Sequence, residues 1–394
     1  MSWAHAGKVA FVGVGFSRIE RGTDEPLGNF AEEAIADALA DCGLPAAAVD
    51  GLATYPDPPY LGAAQREGHD MIGPEYVLTH CRTGPIRWYA NLNGGMVTAA
   101  IVEAALALIG GACEVALVWR AMHHPKGTYG LRRTEVASGP REFSEPYGCV
   151  SPLQWHALAY RRYLERFGLA RERMSALVLN SRRFANLNEH AFFRDRPLSE
   201  ADYAKARMVA DPFCLLDCDI PVQACVALVM TTAERARDLR QRPAYLGGFA
   251  LNAYARPPIA HYTLVDYLEA GGQTASQLWS SAGLGPRDMR AAMLYDGFAP
   301  SALYWLESAG FCGPGEAFDF IADGRIAADG VLPMNTFGGA LSQGRLHGMG
   351  HAAEAVLQAS GRAGARQVRD ASAIAVFSGS PMYRGSGLVV TSEP

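Results

Sequence analysis

The chain has no CxxC pair and no Cys/His run at metal-ligand spacing. Its eight cysteines are scattered, the nearest group being Cys214, Cys218 and Cys225. That pattern excludes a zinc site built from neighbouring cysteines and a disulfide scaffold. Long hydrophobic runs are missing as well: the stretch from Met96 to Gly111 is interrupted by Glu103 and ends in glycines, too short to span a bilayer. Positive charge is not in excess either. The formal net charge is −5, which gives no global attraction to nucleic acid or an anionic membrane. Arginines cluster only locally, at Arg161-Arg162, Arg171 to Arg173, Arg182-Arg183 and Arg235 to Arg242, as solvated helix faces do, although one could meet a phosphate. The N-terminus lacks an apolar signal core and runs directly into a strand pattern, so a cytoplasmic location is expected. Gly13-Val14-Gly15 lacks the third glycine of a dinucleotide fingerprint and is set aside.

What is present is a succession of α/β units. Lys8 to Gly15 is a short apolar run that reads as a buried strand. Phe30 to Cys42 places Phe30, Ala34, Ile35, Ala38 and Leu39 on one helical face and stops at Gly43, and Val49 to Tyr55 is strand-like again. A second unit runs from Tyr89 through Gly94-Gly95 into a nearly all-apolar helix, Met96 to Ile109, and on to the strand Cys113 to Trp119. A helix apolar on every side is packed between layers. Arg120 to Pro152 then turns polar and is too long for an ordinary connection, so it opens an inserted, site-covering region. Helices are expected over Leu153–Phe167, Arg171–Asn186 and Glu200–Val209, with a return to strand between Leu216 and Thr231. Arg242-Pro243 marks a boundary between residues 1–242, whose insertion covers about 120–212, and residues 243–394.

The C-terminal part repeats the design. A helix from Thr274 to Ala282 ends at Gly283-Leu284-Gly285-Pro286 before the strand Ala291–Tyr295, as the first helix ends at Gly43-Leu44-Pro45 before its strand. Gly338-Gly339 precedes the helix His351–Gln358 and the strand Ser372–Ser378, as Gly94-Gly95 precedes the helix from Met96. Two such halves bring both helix starts toward one central site. The segment Asn335 to His351, glycine-rich and opening into a helix, is of the kind that lets a backbone approach a ligand and aims N–H groups at negative charge.

At these residues the chain resembles the thiolase superfamily, and more closely the thiolase-like lipid-transfer-protein group that includes steroid side-chain aldolases. The matching pieces are Val49 to Tyr55, Val118 to Ala121, Pro212 to Cys218, Ala233 to Asp238, Leu294 to Phe298, Gly310 to Glu316 and Asn335 to Met349. The resemblance implies a layered α/β/α/β/α thiolase fold and a homodimer. Thiolases need a cysteine nucleophile, an activating histidine and a second cysteine. Here those positions fall at Gly94, at Arg345 and near Phe377-Ser378, so acyl transfer through a thiolate of this chain is not expected. The aldolase-like relatives carry glycine at the nucleophile position and are thought to use two tyrosines. Tyr295 matches the first, whereas Arg345 stands at the second, and Gln223-Ala224 stands where relatives commonly have Asp-Gly.

The reaction so implied is carbon–carbon bond cleavage or formation on a CoA thioester, chiefly retro-aldol cleavage of a β-hydroxyacyl-CoA. CoA enters as part of the substrate, and no tightly bound cofactor is expected. Tyr295 is the candidate acid/base, Arg345 a fixed cation that can hold an enolate, and His347 a further catalytic candidate, with His351 beside it at the helix start. Gly94, Gly95, Asn335, Gly338 and Gly339 are the candidate thioester and oxyanion contacts. Cys218 is read as a buried small hydrophobe. His123-His124 has no third ligand nearby in the sequence, and no metal site is expected. Close relatives often work with a small zinc-binding OB-fold partner. Trp155, Tyr147 and Tyr160 allow a bulky ring substrate, steroid or aromatic. Two alternatives stand beside the aldolase: a Claisen-type thiolase using free CoA directly, and a non-catalytic CoA-ester-binding or scaffold subunit.

Overall fold

A computed structural model describes residues 2–55, 66–92, 97–124, 136–252, 263–381 and 385–394. The chain begins with β1 (Val9–Phe16), α1 (Leu27–Cys42), β2 (Gly51–Thr54), α2 (Pro74–His80), β3 (Trp88–Asn91), α3 (Val97–Ile109) and β4 (Val115–Met122). The inserted region follows with α4 (Pro152–Phe167), α5 (Ser175–Ala185), α6 (Glu200–Ala204) and a small ribbon of β5 (Met208–Ala210) and β6 (Phe213–Cys214). Next come β7 (Ala224–Thr232), α7 (Ala233–Ala236), β8 (Ala244–Leu251), α8 (Leu264–Ala282), β9 (Ala291–Leu294), α9 (Ala299–Ser308) and α10 (Ala317–Ile321). The chain closes with α11 (Gly339–Ser342), α12 (Met349–Ala359), β10 (Ala373–Ser378) and β11 (Ser386–Thr391).

Nine strands make one mixed sheet in the order β3-β2-β4-β7-β1-β8-β11-β10-β9. Read outward from the seam between β1 and β8, the two sides match strand for strand, with β3 as one additional edge strand on the N-terminal side. β2 pairs parallel with β4 as β9 does with β10, β4 and β10 run antiparallel to β7 and β11, and β1 meets β8 through Ala10↔Tyr245 and Phe11↔Ala244. Helices α1 and α8 end alike, at Gly43 and Gly283, both at left-handed φ (73° and 64°) that glycine adopts without a Cβ penalty.

The sheet wraps around α3 and α12. Residues of eight of its strands, among them Phe11, Ala53, Val118, Leu228, Leu246, Met293, Val376 and Leu388, form one core with Ile101, Ala105, Ala352 and Val356. The opposite face carries α1 against the N-terminal strands and α8 and α9 against the C-terminal ones, giving the alternation helix, sheet, helix, sheet, helix. β4 is buried along its whole length, and α3 is buried over most of its surface, with only Leu106 exposed and Glu103 half-buried, so both are packed between layers.

The insertion does not sit on its own half. Tyr160 and Tyr163 of α4 and Leu177 of α5 share a core with Tyr304 and Trp305 of α9, so it covers the C-terminal outer layer. The helix expected over Glu200–Val209 is corrected: it stops at Ala204, and Met208 instead pairs with Cys214, because the chain must turn back into the small ribbon. The helix expected from Thr274 starts earlier, where Thr263 and Asp266 form a capping box. No helix among the described residues is long and apolar enough to cross a membrane.

Candidate active site

Strand β9 delivers Tyr295 and Asp296, and the glycine-rich segment wraps around its end. Asn335 holds that end on both sides: Oδ1 accepts from Leu294 N and Nδ2 donates to Leu294 O, each at 2.8 Å. With Tyr295 N donating to Phe377 O at 3.0 Å, the backbone carrying the tyrosine is fixed. Its ring folds back over Gly297; a Cβ there would lie 2.6 Å from Cε1 and 2.7 Å from the phenol oxygen. Glycine is therefore required for this ring position, a requirement that the sequence reading did not recognise.

Asp296 is fully buried. Its Oδ1 accepts from Ala340 N at 2.8 Å and from His351 Nε2 at 3.1 Å, tying β9 to α11 and α12. The His351 ring stands between Phe337 and Tyr295, with centroids 4.8 and 5.6 Å away. Committed through Nε2 to Asp296, His351 reads as a support for the tyrosine.

The double glycine 338–339 is a packing device in this geometry. Gly338 N donates to Asn335 O at 2.9 Å, and a Cβ on Gly338 would lie 2.8 Å from that of Ala185 in α5. A Cβ on Gly339 would strike the Asp296 carboxylate. The insertion clamps the same segment: Asn188 Nδ2 donates to Phe337 O at 2.8 Å, and Phe192 N to Gln343 O at 3.0 Å. Gly94 and Gly95 lie outside the described residues, but α3, which follows them, reaches the site. Thr98 Oγ1 is 2.5 Å from Ser386 Oγ, Ser386 donates to Ser378 O at 3.5 Å, and Ser378 donates to His347 O at the same distance. The helix starts on the two sides of the repeat thus converge.

His347 sits at φ 47°, a strained backbone position for a residue with a Cβ. Its Nδ1 lies 2.9 Å from Nη2 of Arg120, a residue buried at the end of β4 that also donates to Tyr55 O and packs on the Tyr55 ring at 5.0 Å. A guanidinium can only donate, so Nδ1 is the acceptor and the proton of the neutral ring is on Nε2. Burial, with the charges of Arg120 and Arg345 behind it, holds the His347 pKa well below the usual histidine range. His347 is therefore a neutral hydrogen-bond donor, not a base acting through Nδ1. Sequence reasoning missed Arg120; the signal was an arginine inside an otherwise apolar strand.

Arg345 is anchored. Its backbone N donates to Ile220 O at 2.9 Å, Nε lies 3.6 Å from Asp219 Oδ2, and Nη2 lies 3.4 Å from His124 Nδ1. Burial and then Arg345 push the His124 pKa down to about 4, leaving it neutral opposite the guanidinium. Asp219 is positioned by donating from N to Gly297 O at 3.0 Å, linking the Arg345 cluster to the turn under Tyr295.

Other expectations change. Tyr160 is fully buried against Phe213 at 5.3 Å and belongs to the core, whereas Tyr147 is exposed on the surface. Cys218 is buried, as read. His123 does have neighbours with ligating atoms: the fold brings His69 and Asp70 to it from 54 and 53 positions earlier, a proximity that sequence spacing cannot show.

Comparison with known proteins gives a consistent picture. Residues 260–391 match the family described as Thiolase C-terminal domain-like. The 17-hydroxy-3-oxo-4-pregnene-20-carboxyl-CoA lyase of Mycobacterium tuberculosis is 35% identical over 90% of this chain and 92% of its own length. The steroid side-chain-cleaving aldolase of Thermomonospora curvata is 33% identical over 89% and 90%. A solved structure described as an Ltp2-ChsH2(DUF35) aldolase superposes with a TM-score of 0.86 at 31% identity, covering 98% of each chain.

Proposed function

We propose a mechanism from one premise: the chain belongs to the lipid-transfer-protein group of the thiolase superfamily, with the steroid side-chain-cleaving aldolases. It is a carbon–carbon lyase of acyl-CoA thioesters, and its reaction is retro-aldol cleavage of a β-hydroxyacyl-CoA. The β-hydroxyl proton leaves as the Cα–Cβ bond breaks. The β-carbon becomes a carbonyl, the electron pair passes into a thioester enolate, and a proton returns to Cα. The atoms of the substrate are thereby divided between a ketone or aldehyde and a shorter acyl-CoA.

One observation carries the assignment of roles: the site offers a phenol, a neutral imidazole and two guanidiniums, but the chain offers no ready thiolate. Burial raises the thiol pKa of all eight cysteines, to about 11 at Cys214 and about 12 at Cys81, Cys113 and Cys312. Tyr295 is assigned the proton transfers. Arg345, which cannot act as a base at neutral pH, and the Nε2–H of His347 are assigned the developing enolate charge. Gly94-Gly95, at the start of the chain into α3, remain candidates for thioester contacts.

The name of the solved aldolase supports a small DUF35-type partner for this chain too, and the substrate names of the relatives support a bulky, steroid-like acyl group. A homodimer is supported by β3, an edge strand of the sheet with Tyr89 66% exposed. Eight unpaired thiols fit a cytoplasmic compartment.

The deciding experiment incubates the purified protein, with and without the small partner, with matched β-hydroxyacyl-CoA and β-ketoacyl-CoA plus free CoA. A ketone or aldehyde and a shortened acyl-CoA from the β-hydroxy substrate are expected. Turnover of the β-keto substrate alone would make the chain a Claisen-type thiolase. Unchanged turnover of the complex after Arg345→Ala and Tyr295→Phe would leave only a scaffold.

A further inference from the structure

Outside the catalytic cluster, one group of side chains has the chemistry of a metal site. Asp70 Oδ1 lies 2.7 Å from His69 Nδ1 and 3.6 Å from His123 Nε2, and the three donor atoms all fall within 4.8 Å of one another. Donors around one tetrahedral ion with bonds of about 2.1 Å lie about 3.4 Å apart, so small side-chain shifts would seat an ion. It is the one such group of histidine, cysteine and carboxylate side chains among the described residues.

The surroundings orient the donors. The Gln223 amide donates from Nε2 to Glu25 O at 2.5 Å, which turns its Oε1 toward His123 Nδ1 at 2.6 Å. Nδ1 must then carry the proton, and the Nε2 lone pair faces Asp70. A ligating histidine usually donates its other N–H to an oxygen in this way. Asp70 is fixed from its far side, where Oδ2 accepts from Arg66 N at 3.0 Å and Arg66 Nε at 3.3 Å. The side chains of His123 and Asp70 are 7% and 8% exposed, whereas that of His69 is 28% exposed, so the group is walled on one side and open on the other. Arg66 also places Nη2 2.9 Å from His69 Nδ1, and at 62% exposure it can swing into water when an ion enters.

We propose that His69, Asp70 and His123 bind one divalent transition-metal ion. Two imidazoles and one carboxylate with open coordination positions select the zinc and cobalt class over magnesium or calcium. The site is separate from the reacting centre but adjoins it through the peptide: His123 faces the ion and His124 faces Arg345. Bound metal would hold the step between them and so steady the Arg345 guanidinium. Gln223, which departs from the pattern of the relatives, acts here as the residue that orients a ligand.

The full-length protein, stripped with chelator, is titrated with Co2+ and followed by visible absorption and calorimetry. One equivalent of Co2+ is expected, with nitrogen/oxygen ligand-field bands. His69→Ala and His123→Ala should each weaken binding at least tenfold, and Gln223→Ala about 10-fold or more. If His123→Ala does not fold, as judged by circular dichroism, the more exposed His69→Ala decides alone. No stoichiometric binding, an affinity unchanged by His69→Ala, or a sulfur-to-cobalt charge-transfer band, which would assign the ion to cysteines elsewhere, would each overturn the proposal.

Discussion

Arg120 and His347, 227 positions apart in the chain, meet at 2.9 Å, and the contact fixes which nitrogen of the imidazole holds the proton. Losing the Nε2–H donor in His347→Ala should lower kcat by about 10²–10³ while acyl-CoA binding persists. Arg120→Met removes one of the two cations beside the ring, so its pKa should rise, while burial, the largest cause of the depression, still holds it below the ordinary histidine value. The acid limb of the pH–kcat profile, where the ring protonates and loses its neutral form, should therefore lie at higher pH in the variant than in the wild type. An unshifted limb would mean that Arg120 does not set the protonation of the ring, and unchanged kcat in His347→Ala would remove His347 from the reaction.

The Tyr295 ring lies where a Gly297 side chain would be. Tyr295→Phe should reduce kcat by about 10²–10⁴, the usual worth of a positioned proton-transfer group. Gly297→Ala keeps the phenol but must displace it, and an ångström of misplacement costs on the order of 10²-fold. Stopped-flow single turnovers with equilibrium binding of a substrate-length acyl-CoA would separate both effects from weaker binding. Equal single-turnover rates in wild type and Gly297→Ala would mean that the ring position does not matter.

His156 is buried between Tyr267 and Phe298, with centroids at 5.3 and 4.5 Å, and burial alone pushes its pKa down to about 3. The unfolded chain takes up that proton near pH 6.5, whereas the folded chain does not until about pH 3. Stability attributable to the neutral ring is therefore complete above about pH 6.5 and is lost progressively as the pH falls toward 3, by on the order of 5 kcal/mol across the window. Urea denaturation at several pH values should show this slope, and His156→Leu should flatten it. An equal slope in the variant would assign the acid limb to other groups.

Behind the glycine-rich segment, Glu354 is buried in a closed network. Its Oε1 accepts from Thr336 Oγ1 at 2.7 Å and Gln358 Nε2 at 3.0 Å, and its Oε2 from Arg366 Nη2 at 3.0 Å. Glu354→Ala strands a nearly buried guanidinium and should cost about 3–5 kcal/mol. Replacing Glu354 and Arg366 together by apolar residues should cost less than the single change. Thermal unfolding of Glu354→Ala, of an apolar replacement of Arg366 alone and of the double variant tests that order, and an additive double variant would contradict it.

The fold was legible because its signals are local. Strand β1, helix α1 with Gly43, the apolar α3 and the helix–turn–strand repeat each follow from residues close in sequence, and the motif at Tyr295 marked one wall of the site. The rest depends on partners far away in the chain. Arg120 reads as an oddity in a strand until His347 arrives beside it. Gly338-Gly339 reads as an oxyanion cradle until Ala185 and Asp296 are seen pressed against it. His123 lacks ligands in sequence because His69 and Asp70 come from the other side of α2 and β4. Tyr160 illustrates the converse: aromatic content suggested a substrate wall, but the insertion folds over the C-terminal helices and uses that ring as core.

The unbroken nine-stranded sheet, curled around two inner helices, limits how substrate can get in and out. The halves share a hydrogen-bonded seam at β1 and β8 and bury α3 and α12 between them, so they cannot swing apart as lobes without tearing that seam and wetting both helices. Access must be managed at the periphery, by the segments that run outside the sheet, while the catalytic floor stays rigid. Differences in chain length tolerated among substrates should then be written in the loops, and the chemistry in the frame beneath them.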